Sequence, residues 1–305
     1  MKAQKIPASE LPLNPDGSVY HLNLRPDQIA DTIITVGDPG RVSAVTRHFD
    51  HIEHKVRKRE FHTHTGRIGR KRLTVISTGI GPDNIDIVIN ELDALANINF
   101  KSRTVKAKKK VLRFIRLGTS GALHPDIPVD SLVVSAYGLG FDNLMSYYAY
   151  RPDRRTAHLL KQIHAYLGAR KSQVPLPYLA KGSEEMVRVL APLGITGITA
   201  TCPGFYGPQG RRLRLAPKEV LPDLLSGFRY KDHRITNFEM ETSALFGLSR
   251  LLGHQAVAVN TILANRATGA FTKRYKASVR DMIVKALEMI VQLKIVELKS
   301  SLAGR

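Results

Sequence analysis

The chain of 305 residues has no tryptophan, one cysteine, and only 26 acidic residues against 46 lysines and arginines. Its lone thiol, Cys202, excludes an intramolecular disulfide and any zinc cage built on several cysteines, in keeping with a reducing compartment. No apolar stretch reaches the roughly eighteen residues that a membrane span needs. Met1–Asn14 lacks the apolar run of a signal peptide, so a cytoplasmic protein is expected. Aromatic residues are only 7% of the chain, which is little with which to stack nucleic-acid bases. Neither G-x-G-x-x-G nor G-x-x-x-x-G-K-[ST] occurs, so no turn is a dinucleotide fingerprint or a P-loop.

What is present is the mixture of a folded globular chain, 43% hydrophobic and 24% charged. The formal charge of +20 is the anomaly. Its densest runs are His54–Arg59, Arg67–Arg72, Lys101–Lys110 and Arg211–Arg214. They are scattered over the chain rather than gathered in one tail, which is the pattern of solvated surface; a basic RNA-binding protein is the rival reading.

Periodicity begins after a polar segment, residues 1–30, that reads as an arm packing against something. Asp31–Val36 is a β-branched run ending in Gly37-Asp38-Pro39-Gly40, and Arg41–Phe49 follows with helical spacing. Arg72–Ser77 is a second strand. It leads through Thr78-Gly79-Ile80-Gly81 to a helix with Ile85, Ile89, Leu92 and Leu95 on one face. Phe114–Leu117 is a third strand entering a turn at Gly118-Thr119-Ser120-Gly121, and Leu132–Ala136 is a fourth. Gly197–Thr201 and Ala256–Ala264 suit buried strands; Arg155–Leu167, Ser183–Leu190, Met240–Leu252 and Tyr275 to about Leu298 suit helices. This alternation predicts α/β: a single-domain, three-layer α/β/α fold over residues 1–305 with a central mixed β-sheet.

Open α/β sheets bind ligands beyond the carboxyl ends of their strands, which is where the glycine-rich turns are expected. Arg41 follows the first turn, and Arg116 stands just before Gly118-Thr119. Turn N–H groups beside an arginine make an anion cradle, and a phosphate dianion asks for more than one such cation.

Six segments in order resemble the nucleoside phosphorylase superfamily, and within it the uridine phosphorylase branch. They are Tyr20-His21-Leu22, Gly37-Asp38-Pro39-Gly40-Arg41, Arg59-Glu60-Phe61, Arg116-Leu117-Gly118-Thr119-Ser120-Gly121, Phe205-Tyr206-Gly207-Pro208-Gln209-Gly210-Arg211 and Asn237-Phe238-Glu239-Met240-Glu241, with Asn265-Arg266 after the next strand. The resemblance implies reversible phosphorolysis of uridine to uracil and ribose 1-phosphate, with catalysis resting on Arg116, Arg211 and Gln209. It implies that Gly37, Arg41, Arg116 and Thr119 hold phosphate, with Arg59 supplied by a neighbouring subunit. Met240, Glu241 and Thr119 are implied at the ribose, together with His21 on the neighbour's arm. Phe205, Gln209, Arg211, Glu239 and Arg266 are implied at the base. Purine-cleaving relatives carry an Asp where this chain has Asn265. The partners implied are uridine, inorganic phosphate as co-substrate, and a second copy of the chain in at least a dimer. No cofactor or metal is called for, nor any membrane or nucleic acid.

Taken singly, each of these residues has a plainer reading. Glu241 could favour a helix dipole, Met240 and Phe205 could be core, and His21 and Arg59 could be surface. Rival enzymes of the same fold are a nucleosidase using water, which would not need three arginines, and a purine nucleoside phosphorylase. The chain also departs from the branch. It reads Gly81-Pro82-Asp83-Asn84 where the bacterial enzymes have Gly-Gly-Pro-Ser, which puts a monovalent-cation site at Glu60 in question. Lys101–Lys110 reads as an insertion, and the resemblance does not account for the cation excess.

Overall fold

The computed structural model describes residues 4–292. Residues 1–3 of the arm and the expected end of the last helix, 293 to Leu298, lie outside them. In chain order the elements are β1 (Thr32–Val36), α1 (Pro39–Thr46), β2 (His51–Lys58), β3 (Phe61–Ile68), β4 (Lys71–Ser77), α2 (Pro82–Asn97), β5 (Ile98–Asn99), β6 (Thr104–Val105) and β7 (Arg113–Ala122). There follow β8 (Leu132–Gly140), α3 (Arg154–Ala169), β9 (Tyr178–Lys181), α4 (Glu184–Leu190), β10 (Ile195–Thr201), α5 (Leu221–Ser226), β11 (Arg229–Tyr230), β12 (His233–Glu239), α6 (Thr242–Leu251), β13 (Gln255–Asn265), β14 (Ala270–Phe271) and α7 (Tyr275–Gln292).

One mixed sheet of twelve strands carries the order β11-β12-β10-β8-β13-β7-β1-β4-β3-β2, with β9 on β8 and β14 on β13. β1 lies parallel between β4 and β7, and all five of its residues are buried, the reading expected of a strand covered on both faces. β12 pairs with β10 and also, antiparallel, with β7 through Asn237–Ala122 and Phe238–Gly121. β7, β13, β8, β10 and β12 therefore close on themselves, while β1, β4, β3 and β2 extend as an open wing.

Helices cover both faces, as the three-layer expectation requires. Ile34, Val36, Val75, Ile115, Leu117, Val257 and Val259 pack with residues of α1, α4 and α7. Their alternates, Ile33, Ile76, Phe114, Ala256 and Ala258, pack with α2 and α6, and α3 and α5 bury a third cluster around Leu139 and Ile198. The arm lies on its own chain here. Val19, Leu22 and Leu24 join the α2–α6 cluster, and Glu91 of α2 accepts the backbone N–H groups of His21 and Leu22.

One local expectation is corrected, and two strands appear that the sequence pattern did not show. Gly118-Thr119-Ser120-Gly121 is no turn: β7 runs through it, paired with β13 from Gly118–Asn260 to Gly121–Ala264. Asn237–Glu239 is the end of a strand that the apolar pattern did not reveal. The basic run His54–Arg59 is largely β2, which pairs with β3 through a two-residue turn at Arg59-Glu60, where Arg59 takes φ +54. β2 is an edge strand, and cations on an edge block strand-to-strand aggregation. The Lys101–Lys110 segment is mostly exposed, as expected of solvated surface, but Arg103 within it donates to the carbonyls of Ile6, Pro7 and Leu11 and pins the arm.

α6 rests on β8 at Gly138, where an added Cβ would stand 2.6 Å from the Ser243 Cα. Backbone cannot give way as a side chain does. Gly138→Ala is expected to lose about 1–3 kcal/mol, the usual cost of overpacking. Thermal unfolding reads this as a lowered Tm, and an unchanged Tm would mean that α6 is not held at this contact.

Candidate active site

A cavity of about 800 Å³ opens at the carboxyl ends of β1, β4 and β12 and along β7 and β13. Its walls include Gly37, Arg41, Arg116, Thr119, Phe205, Gln209, Arg211, Glu239, Met240 and Glu241. Ten of the residues expected at the site thus share one cavity, although they come from four separate stretches of chain.

Part of the cavity wall is cationic. Asp38 caps α1 by accepting the Gly40 N–H at 2.8 Å, which starts the helix where Arg41 turns inward. Arg41 is buried and donates to the Leu117 carbonyl at 3.2 Å. Arg116 is 4% exposed, and one of its Nη atoms donates to a Glu241 carboxylate oxygen in a short ion pair. Its Nε and other Nη have no hydrogen-bond partner among the described residues. Arg116 lines the cavity with guanidinium donors that no protein group takes up, and a buried donor without a partner is suited to an anion.

Next to them stands a pair of carboxylates with different work. Glu241 accepts the Gly81 N–H at 2.9 Å, across a turn in which Gly79 and Gly81 take φ +69 and +100, values open mainly to glycine. Burial pushes its carboxyl up, to about 7; Arg116 pulls against this and Glu239 adds to it. Glu239, expected at the base, lines the cavity with its carboxylate already engaged by the protein. Its carboxylate accepts the Glu241 and Thr242 N–H groups at 2.9 and 3.0 Å and the Thr201 hydroxyl at 2.8 Å, and lies 3.4 Å from Arg116 Nε. It caps α6 and holds Glu241 and Arg116 together. Met240 lines the cavity between these two carboxylates.

Gln209 is buried, and its side-chain oxygen accepts from Arg211, which also donates to the Phe205 carbonyl. The Arg211 guanidinium stacks 3.6 Å from the Phe205 ring centroid and 5.7 Å from that of Phe238. Burial, and then the charge of Arg266, lowers the Arg211 guanidinium to about 10, which leaves it charged at neutral pH. Arg266, expected at the base, does not line the cavity. It donates to the carbonyls of Gln209 and Gly210 at 3.0 and 3.1 Å, and so supports the loop that presents Gln209. Asn265 is fully committed elsewhere: it donates to the His124 and Ile127 carbonyls and accepts from the Ala267 and Thr268 N–H groups.

His21 and Arg59 line no part of this cavity. They lie close to one another at the surface, His21 against Glu91 at 2.7 Å and Arg59 6.0 Å from the Tyr20 ring centroid. Residues that the sequence did not single out are Phe238, Leu263, Ala264 and Phe271, which give the cavity apolar wall. Their only signal was membership of apolar runs, which core residues share. Among the described residues no group of three or more His, Cys, Asp or Glu side chains could hold a metal ion.

Comparison with known proteins agrees with this geometry. The family model described as Phosphorylase superfamily matches residues 31–294. A uridine phosphorylase of Thermococcus kodakarensis is 26% identical over 301 residues, covering 95% of this chain and 92% of that protein. A purine nucleoside phosphorylase of the DeoD type from Bacillus velezensis is 26% identical, over 88% of this chain and 98% of that one. A Trypanosoma brucei nucleoside phosphorylase, whose crystal structure is described as showing uridine phosphorylase activity, superposes with a TM-score of 0.84. It is 28% identical, over 93% of this chain and all of that one. The closed sheet, the cavity at its strand ends and a family match that spans most of the described residues lead to one conclusion: this chain belongs to the phosphorylase superfamily.

Proposed function

We propose that the chain is a uridine phosphorylase, converting uridine and phosphate reversibly into uracil and ribose 1-phosphate. The observation that carries this reading is the gathering of these groups in one cavity. Arg41 and Arg116 line it with the Glu241 carboxylate paired to Arg116, and so do Gln209 and Arg211, which are hydrogen-bonded to each other. Phosphate would lie against the first two, ribose against Glu241 and a uracil ring against the last two. Relatives that match over 95%, 90% and 81% of the chain are named for the same activity. Asn265 offers no acid to a purine nitrogen, because its side chain is spent on backbone groups.

In this reaction a phosphate oxygen attacks C1′ as the C1′–N1 bond breaks, and the bonding pair leaves with uracil. The ribose becomes oxocarbenium-like and faces the phosphate dianion held by Arg41 and Arg116. Negative charge grows on the uracil carbonyls, where Arg211 and Gln209 donate; contacts that strengthen there accelerate the reaction. Glu241 would accept both ribose hydroxyls and hold the sugar in line. Phosphate is the co-substrate, and this scheme uses no further cofactor. Rates of uridine and inosine cleavage, each with and without phosphate, test it. Uridine cleavage that needs phosphate is expected. Equal rates in phosphate-free buffer would make the protein a nucleosidase, and robust inosine cleavage would overturn the pyrimidine reading.

We also propose a homodimer or larger assembly with shared sites, and a cytoplasmic location. His21 and Arg59 sit side by side on the surface and away from their own cavity, as groups donated to a partner would. Arg59→Ala and Arg116→Ala chains, each inactive alone, should regain activity when co-refolded, since some mixed dimers carry one site with both arginines. Mixed dimers that form and stay inactive would sink the shared site.

A further inference from the structure

A second pocket, of about 740 Å³, lies at the far end of β12 from the catalytic cavity. His233 at the start of that strand lines it, while Glu239 at the strand's end lines the catalytic cavity, roughly 20 Å away at 3.3 Å per residue. No carboxylate lines this pocket. Four cations do, from three separate stretches: Arg154 and Arg155 on the first turn of α3, Lys181 on β9, and Lys231 in the turn between β11 and β12.

Among the described residues only Lys181 of the four makes an ion pair, with Glu184 outside the lining. Glu184 is also within electrostatic reach of Arg155, Asp153 is paired with Arg250, and Asp232 follows Lys231 in the turn. Converging cations without lining carboxylates repel one another unless an anion enters. Between them stand two ring pairs. Tyr137 meets His233 edge-on at 5.5 Å, and Tyr230 lies 5.8 Å from His158, to which its hydroxyl is hydrogen-bonded at 2.8 Å. Both tyrosines are half-buried and line the pocket, with Lys231 5.7 Å from the Tyr230 ring centroid; rings so placed stack on planar bases.

From the convergence of phosphate-binding cations and stacking rings in one pocket, we propose that this is a second ligand site, specific for a nucleotide. Its phosphates lie against Arg154, Arg155 and Lys231, and its base lies against the tyrosines. A pocket of this size holds one nucleotide rather than tracking a strand, which would need a groove with successive aromatics along it. None of these residues belongs to the catalytic cavity. Part of the cation excess that phosphorolysis does not use is thereby given a role.

The probe is adenosine 5′-diphosphate, titrated calorimetrically in phosphate-free buffer into the protein with uridine saturating the catalytic cavity. One molecule per chain is expected to bind, in the parent and equally in the Arg116→Lys variant. Arg155→Ser combined with Lys231→Ser should weaken binding at least tenfold, with uridine cleavage and Tm unchanged. No heat at millimolar nucleotide overturns the site, as does full binding in the double variant or loss of binding in a folded Arg116→Lys. Inorganic phosphate binding as tightly as the nucleotide would remove the base from the proposal. A short single-stranded RNA that binds more tightly than the nucleotide, and is weakened by the same two changes, would overturn it in favour of RNA.

Discussion

Arg116→Ala should lower kcat/KM for uridine about a thousandfold, the upper end of what loss of a preorganised donor to developing charge costs. Among the described residues one Nη has no partner, Nε lies 3.4 Å from Glu239 without a hydrogen bond, and the other Nη holds Glu241. The substitution therefore removes a phosphate contact and also leaves a buried carboxylate with less compensation. Breaking a buried pair in this way costs about 3–5 kcal/mol of stability, so the kinetic loss must be separated from unfolding. Arg116→Lys keeps the charge but not the fork of donors, and should retain the fold while losing most of the rate. Steady-state kinetics with a thermal melt on each variant decides the matter. A folded Arg116→Ala protein that turns over uridine normally would place the phosphate elsewhere.

Arg211→Ala should reduce kcat about a hundredfold while leaving the KM for phosphate near its parent value. The guanidinium is held between the Phe205 ring and the Phe205 carbonyl, with Gln209 as its other partner, and no contact joins it to Arg116 among the described residues. It is positioned before substrate arrives, so its donors cost no reorganisation as charge develops on the base. Because Arg211 and Gln209 touch, Gln209→Ala and the double variant should be non-additive. Additive losses would mean that the two side chains act on separate atoms without the contact between them mattering. A rise in phosphate KM instead of a fall in kcat would mean that Arg211 serves the anion.

The ordered motifs pointed to a cavity before any fold was in hand, and ten of the residues they named line it. Residues read from local context alone fared less evenly. Gly118-Thr119-Ser120-Gly121 carries the composition of a turn, yet β13 beside it and β12 across from its end supply ladder partners, and tertiary pairing overrides weak local preference. β2 was missed because an edge strand full of charge shows little apolar alternation; its stability comes from β3. Glu239 and Arg266 were placed at the base because they lie inside matching motifs. Whether a charged group faces a ligand or a backbone amide is decided by which atoms the fold brings within hydrogen-bonding reach.

By itself the sequence determined the elements whose patterns are local: the buried run of β1, the apolar face of α2, and the three-layer class that their alternation implies. It also determined which side chains were available for the chemistry. Only the tertiary structure decided their pairings, because the ion pair of Arg116 with Glu241 spans 125 positions and no local period encodes such a distance. The closure of β12 onto β7, the capping duty of Glu239, and the gathering of Arg155, Lys181 and Lys231 around one pocket are of the same kind. Each follows from how apolar faces far apart in the chain are buried together, and the polar groups carried along with them take whatever partners that packing provides.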